Sequence, residues 1–325
     1  MDNQQGFMDT QRRKLHVAAL SVASNTALVA MKLIAGLMIG SVSIISEAIH
    51  SGVDLLAAII ALFSVKTSSI PADGRHPFGH GKIENISGTI EALLIFVAAI
   101  WIIVEAVKKL MHPEPMEALG WGIGVMLISA VVNIVVSKML FKVGRETDSI
   151  ALQADAWHLR TDVYTSAGVM VSLSLIWMGQ LIFPGKDFFW LDPVAAIGVA
   201  LLIIKAAYDL TAQSAKDLLD VHLPNVEVEW IRKCILDQNS VVRGFHELKT
   251  RKAGHFRFVE FHLKVDPHMS VKDSHDITKV LKRKIKTQFP GTTVTIHIEP
   301  CDGDCVDKCI DGCLQPERKK AGNGS

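Results

Sequence analysis

Ile44-Ile-Ser-Glu-Ala-Ile-His50-Ser-Gly-Val-Asp54-Leu-Leu-Ala-Ala-Ile-Ile-Ala-Leu62 is an apolar run that carries an imidazole and a carboxylate four residues apart. On a helix that spacing puts both side chains on one face. The pattern returns a hundred residues later as His158 and Asp162, inside a second apolar run from Ile150 to Trp177. Two buried helices can therefore each present one imidazole and one carboxylate, and four such donors make a metal site.

The 325 residues are 49% hydrophobic and 21% charged, with a mean hydropathy of +0.30. Most of that apolar content lies in the first two-thirds, which predicts a multi-span membrane protein. A net charge of +1 and the lack of a basic stripe with interleaved aromatics set nucleic-acid binding aside. The first apolar run follows Arg12, Arg13 and Lys14, is as long as a full span and has no small-residue cleavage site, so it reads as a retained helix.

Runs near the roughly 20 residues that cross a bilayer occur at about 15–39, 42–66, 85–111, 118–142, 149–179 and 189–212. Six transmembrane helices are therefore expected over 15–213, after a segment 1–14. Basic residues near the span ends (Arg12, Arg13, Lys14; Lys66, Arg75, Lys82; Lys138, Lys142, Arg145) fall on one side, which places both termini in the cytoplasm of an inner-membrane protein. Lys32, inside the first span, is expected to snorkel or to pair within the bundle, and Lys205 to snorkel.

After residue 213 charge rises and long apolar runs stop. A helix at 227–238, strands at 241–251 and 256–265, a helix at 271–289 and a strand at 292–299 give a small α+β domain of order αββαβ, a ferredoxin-like open-faced sandwich over 214–300. In its last strand the alternation puts His297 and Glu299 together on the polar face. A Cys-rich tail, 301–325, follows and is expected to be disordered without metal.

Asp54 lies about 18 Å from the outer end of the second span and Asp162 about 19.5 Å from the inner end of the fifth, at 1.5 Å per residue. In a core about 30 Å thick both fall in the middle third, so the two pairs can meet. Two ionised carboxylates there are expensive, whereas a divalent cation between two carboxylates and two neutral imidazoles forms a neutral cluster. Without metal the same groups take up protons, a physical basis for antiport. A tetrahedral His2Asp2 set suits Zn²⁺, where an all-oxygen set would point to Mn²⁺ or Mg²⁺. The competing explanation, interhelical hydrogen bonding alone, fits one His–Asp pair better than two pairs at matched depth.

These paired motifs, the six spans with cytoplasmic ends, and the loop Pro71-Ala-Asp-Gly-Arg-His-Pro-Phe-Gly-His-Gly-Lys82 resemble the cation diffusion facilitator family of zinc transporters over residues 14 to 300. The resemblance implies a homodimeric metal/proton antiporter in the bilayer, working by alternating access around His50, Asp54, His158 and Asp162. His at position 50 resembles the zinc-preferring members and leaves Cd²⁺, Co²⁺ and Ni²⁺ open as minor substrates.

Three further sets follow from the resemblance. Asp73, His76 and His80 form a loop cluster that would recruit or relay metal, with Gly81 supplying a turn; by itself such a cluster is as often a solvated loop. His246, His262, His275, His297 and Glu299 match a regulatory site for two metals at the dimer interface, with Zn²⁺ as its ligand, and the match departs at Ile298. Lys82 and Asp220 match a charge interlock, for which an exposed ion pair is the plainer reading. The tail cysteines Cys301, Cys305, Cys309 and Cys313 lie outside the resemblance. Their four-residue spacing among aspartates points to soft-metal capture or to an incidental reduced tail. Cys234 reads as core.

The expected function is a proton-coupled Zn²⁺ exporter, not an enzyme. A membrane-anchored zinc sensor or buffer is the alternative from another class. A metal hydrolase is disfavoured because no general base stands beside an open coordination position.

Overall fold

The computed structural model describes residues 2–39, 42–111, 122–182, 190–238, 241–301 and 313–314. Its contacts divide it into a helical unit, Met8–Ala215, and a second unit made of Met1–Phe7 and Lys216–Ser325.

Six helices build the first unit: α1 (Asp2–Ile39), α2 (Val42–Ser68), α3 (Lys82–Met111), α4 (Gly122–Glu146), α5 (Ile150–Ile182) and α6 (Leu191–Leu218). Among the described residues, stretches of α1, α2, α3, α4 and α6 are long and apolar enough to cross a membrane. α5 carries Asp155, His158, Arg160 and Asp162 within its first four turns. The segment 2–14, expected to precede the first span, continues α1 without a break. Lys14 is accordingly not a solvated end charge: it is fully buried and ion-paired to Glu84.

α5 is the hub, packing against α2, α3 and α4. A cluster of Val17, Ala18, Val65, Leu140, Ala156 and Leu159 surrounds one side of it. Ala92, Ile95, Ile150, Ala154 and Ile203 surround another. The turn from α4 to α5 is very tight. Ser149 N donates to Gly144 O at 2.8 Å while Asp148 takes φ +55°, a left-handed helix ending that aspartate tolerates. A Cβ at Gly144 would lie 3.0 Å from Gln153 Cγ, so the small residue lets the two helices fold back on each other.

At the end of this bundle a charged network is buried in full. Lys14 Nζ (2.7 Å) and Ser68 Oγ (2.8 Å) donate to Glu84 Oε1, and Ser149 Oγ donates to Oε2 at 2.6 Å. One carboxylate thus ties α1, α2, α3 and the α4–α5 turn together. Lys32 is also resolved toward pairing within the bundle, its Nζ donating to Ser51 Oγ at 2.7 Å; Lys205 is exposed.

The C-terminal unit runs α7 (Asn225–Leu236), β1 (Val242–Ala253), β2 (Phe256–Val265), α8 (Val271–Gln288) and β3 (Thr292–Pro300), the αββαβ order expected. The sheet order is β1-β2-β3, antiparallel then parallel. Period-two alternation sorts the faces of β2. Val259, Phe261, Leu263 and Val265 are buried, and against this core pack Ile231 and Ile235 of α7 and Leu281 and Ile285 of α8. Ser270 caps α8 by accepting from Asp273 N at 3.1 Å. The opposite face of the sheet is left to polar side chains.

The tail departs from expectation at 313–314. Cys313 is buried and bridges antiparallel to Gly244, and Leu314 N donates to Arg243 O at 3.0 Å. The outer edge of β1 offers unpaired backbone groups, and this short segment satisfies some of them.

Candidate metal centres

The two histidine-aspartate helices cross-pair. His158 Nε2 of α5 lies 2.9 Å from Asp54 Oδ1 of α2, and His50 Nε2 of α2 lies 3.9 Å from Asp162 Oδ1 of α5. Such reciprocal pairing of two i, i+4 motifs requires the helices to run antiparallel at this level, so that the first residue of one motif meets the second of the other. Ligand atoms of His50, Asp54 and Asp162 lie within 4.8 Å of one another, and His158 joins through its bond to Asp54.

Burial divides the set. Asp54 and His158 are almost fully enclosed, whereas the His50 side chain is 57% exposed. His158 Nδ1 is buried with no hydrogen-bond partner, which leaves the proton position on that ring free to change. Two carboxylates and two imidazoles, one ring carrying an uncommitted nitrogen, fit a divalent cation of intermediate hardness.

Asn133 of α4 is a functional candidate that the sequence reading passed over. Its Nδ2 donates to Asp162 Oδ2 at 3.4 Å, on the carboxylate oxygen that does not face His50. A lone buried Asn in the apolar run Val131-Val-Asn-Ile was the available signal.

In the loop between α2 and α3, Asp73 gathers both histidines: His76 Nδ1 at 3.3 Å and His80 Nε2 at 3.5 Å, with the two rings 4.2 Å apart. Backbone N–H groups of His76 and Arg75 hydrogen-bond to Asp73 Oδ1, and these bonds hold its carboxyl below the usual carboxylate range. His80 is nearly buried, its Nδ1 placed 3.4 Å from Ile70 O, so Nε2 is the nitrogen aimed at the cluster. The turn here is made by Gly79 at φ +82°, not by Gly81, because the chain must reverse between the two histidines to bring both to Asp73.

On the polar face of the sheet three histidines stand in one row across the strands, His246 beside His262 beside His297. A register shift between His246 and Lys249, with Glu247 at φ +49°, follows the first of them. Glu299 Oε2 lies 2.9 Å from His246 Nε2 and Oε1 lies 2.8 Å from His262 Nδ1. His297 Nε2 is 3.7 Å from Oε1.

Burial tends to raise the Glu299 pKa, but hydrogen bonds from Lys264, His246 and His262 outweigh it and bring it down to about 2. Lys264 Nζ, 2.9 Å from Oε2, is a resident cation that any metal has to displace. Among the described residues the close group is His246, His262 and Glu299; His275 is exposed on α8, outside it. Ile298, where the family match departs, packs on the hydrophobic core, the side of β3 away from the histidines. His255, for which no role was expected, is buried and lies against Phe256 with ring centroids 4.1 Å apart.

Of the remaining candidates, Lys82 opens α3, and Asp220, at φ +56°, has Arg251 Nη1 at 3.5 Å. Cys305 and Cys309 lie outside the described residues. Cys301 extends the sheet, its N–H donating to Val265 O at 2.9 Å. Cys234 is a buried core residue whose thiol is pushed up by burial.

Comparison with known proteins matches residues 18–219 to the cation efflux transmembrane domain and 223–301 to the cytoplasmic domain of cation efflux proteins. An uncharacterized transporter of Synechocystis sp., sll1263, is 36% identical over 293 residues, 90% of this chain and 92% of its own length. The cation-efflux pump FieF of Salmonella paratyphi A is 32% identical over 285 residues, 88% and 91% of the two chains. Among solved structures, the zinc form of CzrB is 39% identical over 27% of this chain and 98% of its own, with a TM-score of 0.25. The metal-bound C-terminal domain of the CzcD transporter from Thermotoga maritima is 27% identical over 26% and 100%, with a TM-score of 0.23. Two domain matches covering both units in order, and relatives aligned over nine-tenths of the chain, agree with the paired His–Asp helices: the chain belongs to the cation diffusion facilitator family and is a multi-pass cation-efflux transporter.

Proposed function

We propose that the chain exports Zn²⁺ in exchange for protons, by alternating access around His50, Asp54, His158 and Asp162. The observation that carries this reading is the 2.9 Å contact between His158 Nε2 and Asp54 Oδ1. Without metal these two ligand atoms share a proton, and a cation bound between them has to displace it. The charge of a divalent ion cancels the two carboxylates, so either the ion or protons keep the site neutral inside an apolar bundle.

α5 is read as the sixth span, its polar turns tolerated because they face α2 and α4 instead of lipid. Both termini, the Asp73–His76–His80 loop and the C-terminal domain then lie on the cytoplasmic side of the inner membrane. There the loop captures metal for the inner entrance. His246, His262, His297 and Glu299, with His275 approached from elsewhere in a homodimer, bind Zn²⁺ as a regulatory ligand. His246 supports that role: its Nδ1 is buried without a partner, and its Nε2 faces Glu299. Cd²⁺, Co²⁺ and Ni²⁺ are minor cargoes. Metal capture by Cys301, Cys305, Cys309 and Cys313 is the accessory role assigned to the tail.

Zinc flux into proteoliposomes under a pH gradient tests the reading. Wild type carries Zn²⁺ and releases protons in return, and Asp54→Ala does neither. Equal flux in Asp54→Ala removes the site assignment, and high-affinity binding without any flux in wild type favours a membrane-anchored zinc sensor. The compact His246–His262–Glu299 group gives that second reading its support.

A further inference from the structure

α3 carries a buried acid that the metal ligands leave unused. Glu91 is fully enclosed; its Oε1 accepts from Ser87 Oγ at 3.0 Å and its Oε2 has no hydrogen-bond partner. At Gly88, one turn earlier, α3 comes close to α5: a Cβ there would stand 2.6 Å from Ile150 Cγ2. Ala92 and Ala154 continue that packing. Asp155 follows Ala154, is also fully buried, and has no conventional hydrogen-bond partner for either carboxylate oxygen. It faces Ser21 of α1, and Asn25 Nδ2, one turn along that helix, is buried without a hydrogen-bond partner.

The titratable neighbour of Glu91 across the helix interface is itself an acid. α5 contributes Asp155 and, one turn on, His158, and α2 contributes Asp54 beyond them. α6 presents Ala207, Leu210 and Ser214, none of them charged. On α3 itself Glu84, seven residues back, is paired to Lys14 of α1. Among the described residues no lysine or arginine pairs with Glu91 or Asp155, and the His158 imidazole, which acts on Asp155, is itself bonded to Asp54. Two neighbouring carboxylates in an apolar bundle without a cation do not both ionise.

Building on the antiport reading above, we propose that Glu91 is a proton-carrying site separate from the metal ligands, held as the neutral acid beside Asp155 and emptied when metal loads. Asp155 stands three residues before His158 and links Glu91 to the metal site. A divalent ion at His158 and Asp54 favours negative charge behind it, so the O–H bond of the Glu91 carboxyl breaks and the proton leaves to solvent. When the ion departs, Glu91 takes a proton back. Coupling of this kind is reciprocal: a protonated Glu91 weakens metal binding as much as bound metal expels the proton.

Infrared difference spectra of the full-length protein in detergent, metal-free against zinc-loaded, read the event without any transport. A protonated-carboxyl C=O band is lost on loading in wild type, is missing from the difference in Glu91→Gln, and returns, shifted, in Glu91→Asp. In a weakly buffered titration at neutral pH Glu91→Gln releases about one proton fewer per zinc ion and, as the reciprocal coupling requires, binds zinc about tenfold or more weakly without losing the bound ion. An unchanged band and unchanged proton release in Glu91→Gln overturn the proposal. So does loss of zinc binding in both Glu91→Gln and Glu91→Asp, which assigns Glu91 to packing. Failure of the antiport reading registers elsewhere, as absence of pH-driven zinc flux in wild type.

Discussion

The intramembrane tetrad and the histidine row on the C-terminal sheet use the same donor types under opposite conditions. In the tetrad, two antiparallel helices bring Asp54 to 2.9 Å from His158 inside a bundle with little water to stabilise charge. In the row, strand register aligns His246, His262 and His297, and Lys264 already neutralises Glu299. The first arrangement needs a cation or protons to be neutral. The second is neutralised by its own chain, so metal there competes with a lysine in place of filling a charge deficit. The difference fits a cargo site in the first case and a modulating site in the second.

The largest effect expected from this contrast is in flux. Asp162→Ala should lower intramembrane zinc affinity by at least about 100-fold and abolish transport. His262→Ala should leave flux within an order of magnitude and remove metal binding at the C-terminal domain. Proteoliposome flux beside equilibrium metal counting on the same preparations checks both, and a reversed ranking breaks the comparison.

Next in size is a stability effect at the end of the helical bundle. Glu84→Ala leaves the Lys14 ammonium buried without its carboxylate and strips Ser68 and Ser149 of their acceptor. Removing one partner of a buried pair costs about 3–5 kcal/mol. Glu84→Ala together with Lys14→Met should recover much of it, because the uncompensated charge is then gone. Thermal unfolding in detergent reads both variants, and equal melting of the single and double variants rules out a Lys14-centred penalty.

Much of this could be read from sequence and some could not. Apolar run length located six helices to within a few residues at most ends, and i, i+4 spacing named His50, Asp54, His158 and Asp162 before any contact was known. Runs of apolar residues say nothing of a polar helical extension, which is why 2–14 was not seen as part of α1. Lys14 and Glu84 were unreadable for a related reason. Charges at span ends are ordinarily solvated, and only packing reveals that these two are enclosed. Period-two alternation fixed the inward residues of β2, but which histidines share a row depends on the shift between His246 and Lys249. Pairing of Cys313 with Gly244 joins residues about seventy apart with no local signal.

On the sheet, Lys264→Met should raise metal affinity of the C-terminal site by about tenfold, since the side-chain stem stays and only the competing charge goes. The same network sets an acid limit for the metal-free domain. Glu299 titrates at about 2 in the fold and near 4.5 without it, so its stabilisation is present above about 4.5 and is lost as pH falls toward 2. Glu299→Gln should flatten that limb of a stability-against-pH curve. An unchanged limb would mean that His246, His262 and Lys264 do not hold the carboxylate in solution.

The smallest effect is expected from Asn133. Its Nδ2 reaches Asp162 Oδ2 at 3.4 Å, a long contact, and the other carboxylate oxygen is the one turned to His50. A side chain that hydrogen-bonds a ligand in this way orients it without binding metal, and such partners are worth about 10- to 100-fold in affinity. The length of the bond puts Asn133→Leu at or below the lower end, with zinc affinity reduced up to about tenfold and the number of bound ions unchanged. Isothermal titration separates the two quantities. A lost stoichiometric site would make Asn133 a direct ligand, and the tetrad would then have to be redrawn with a donor from α4.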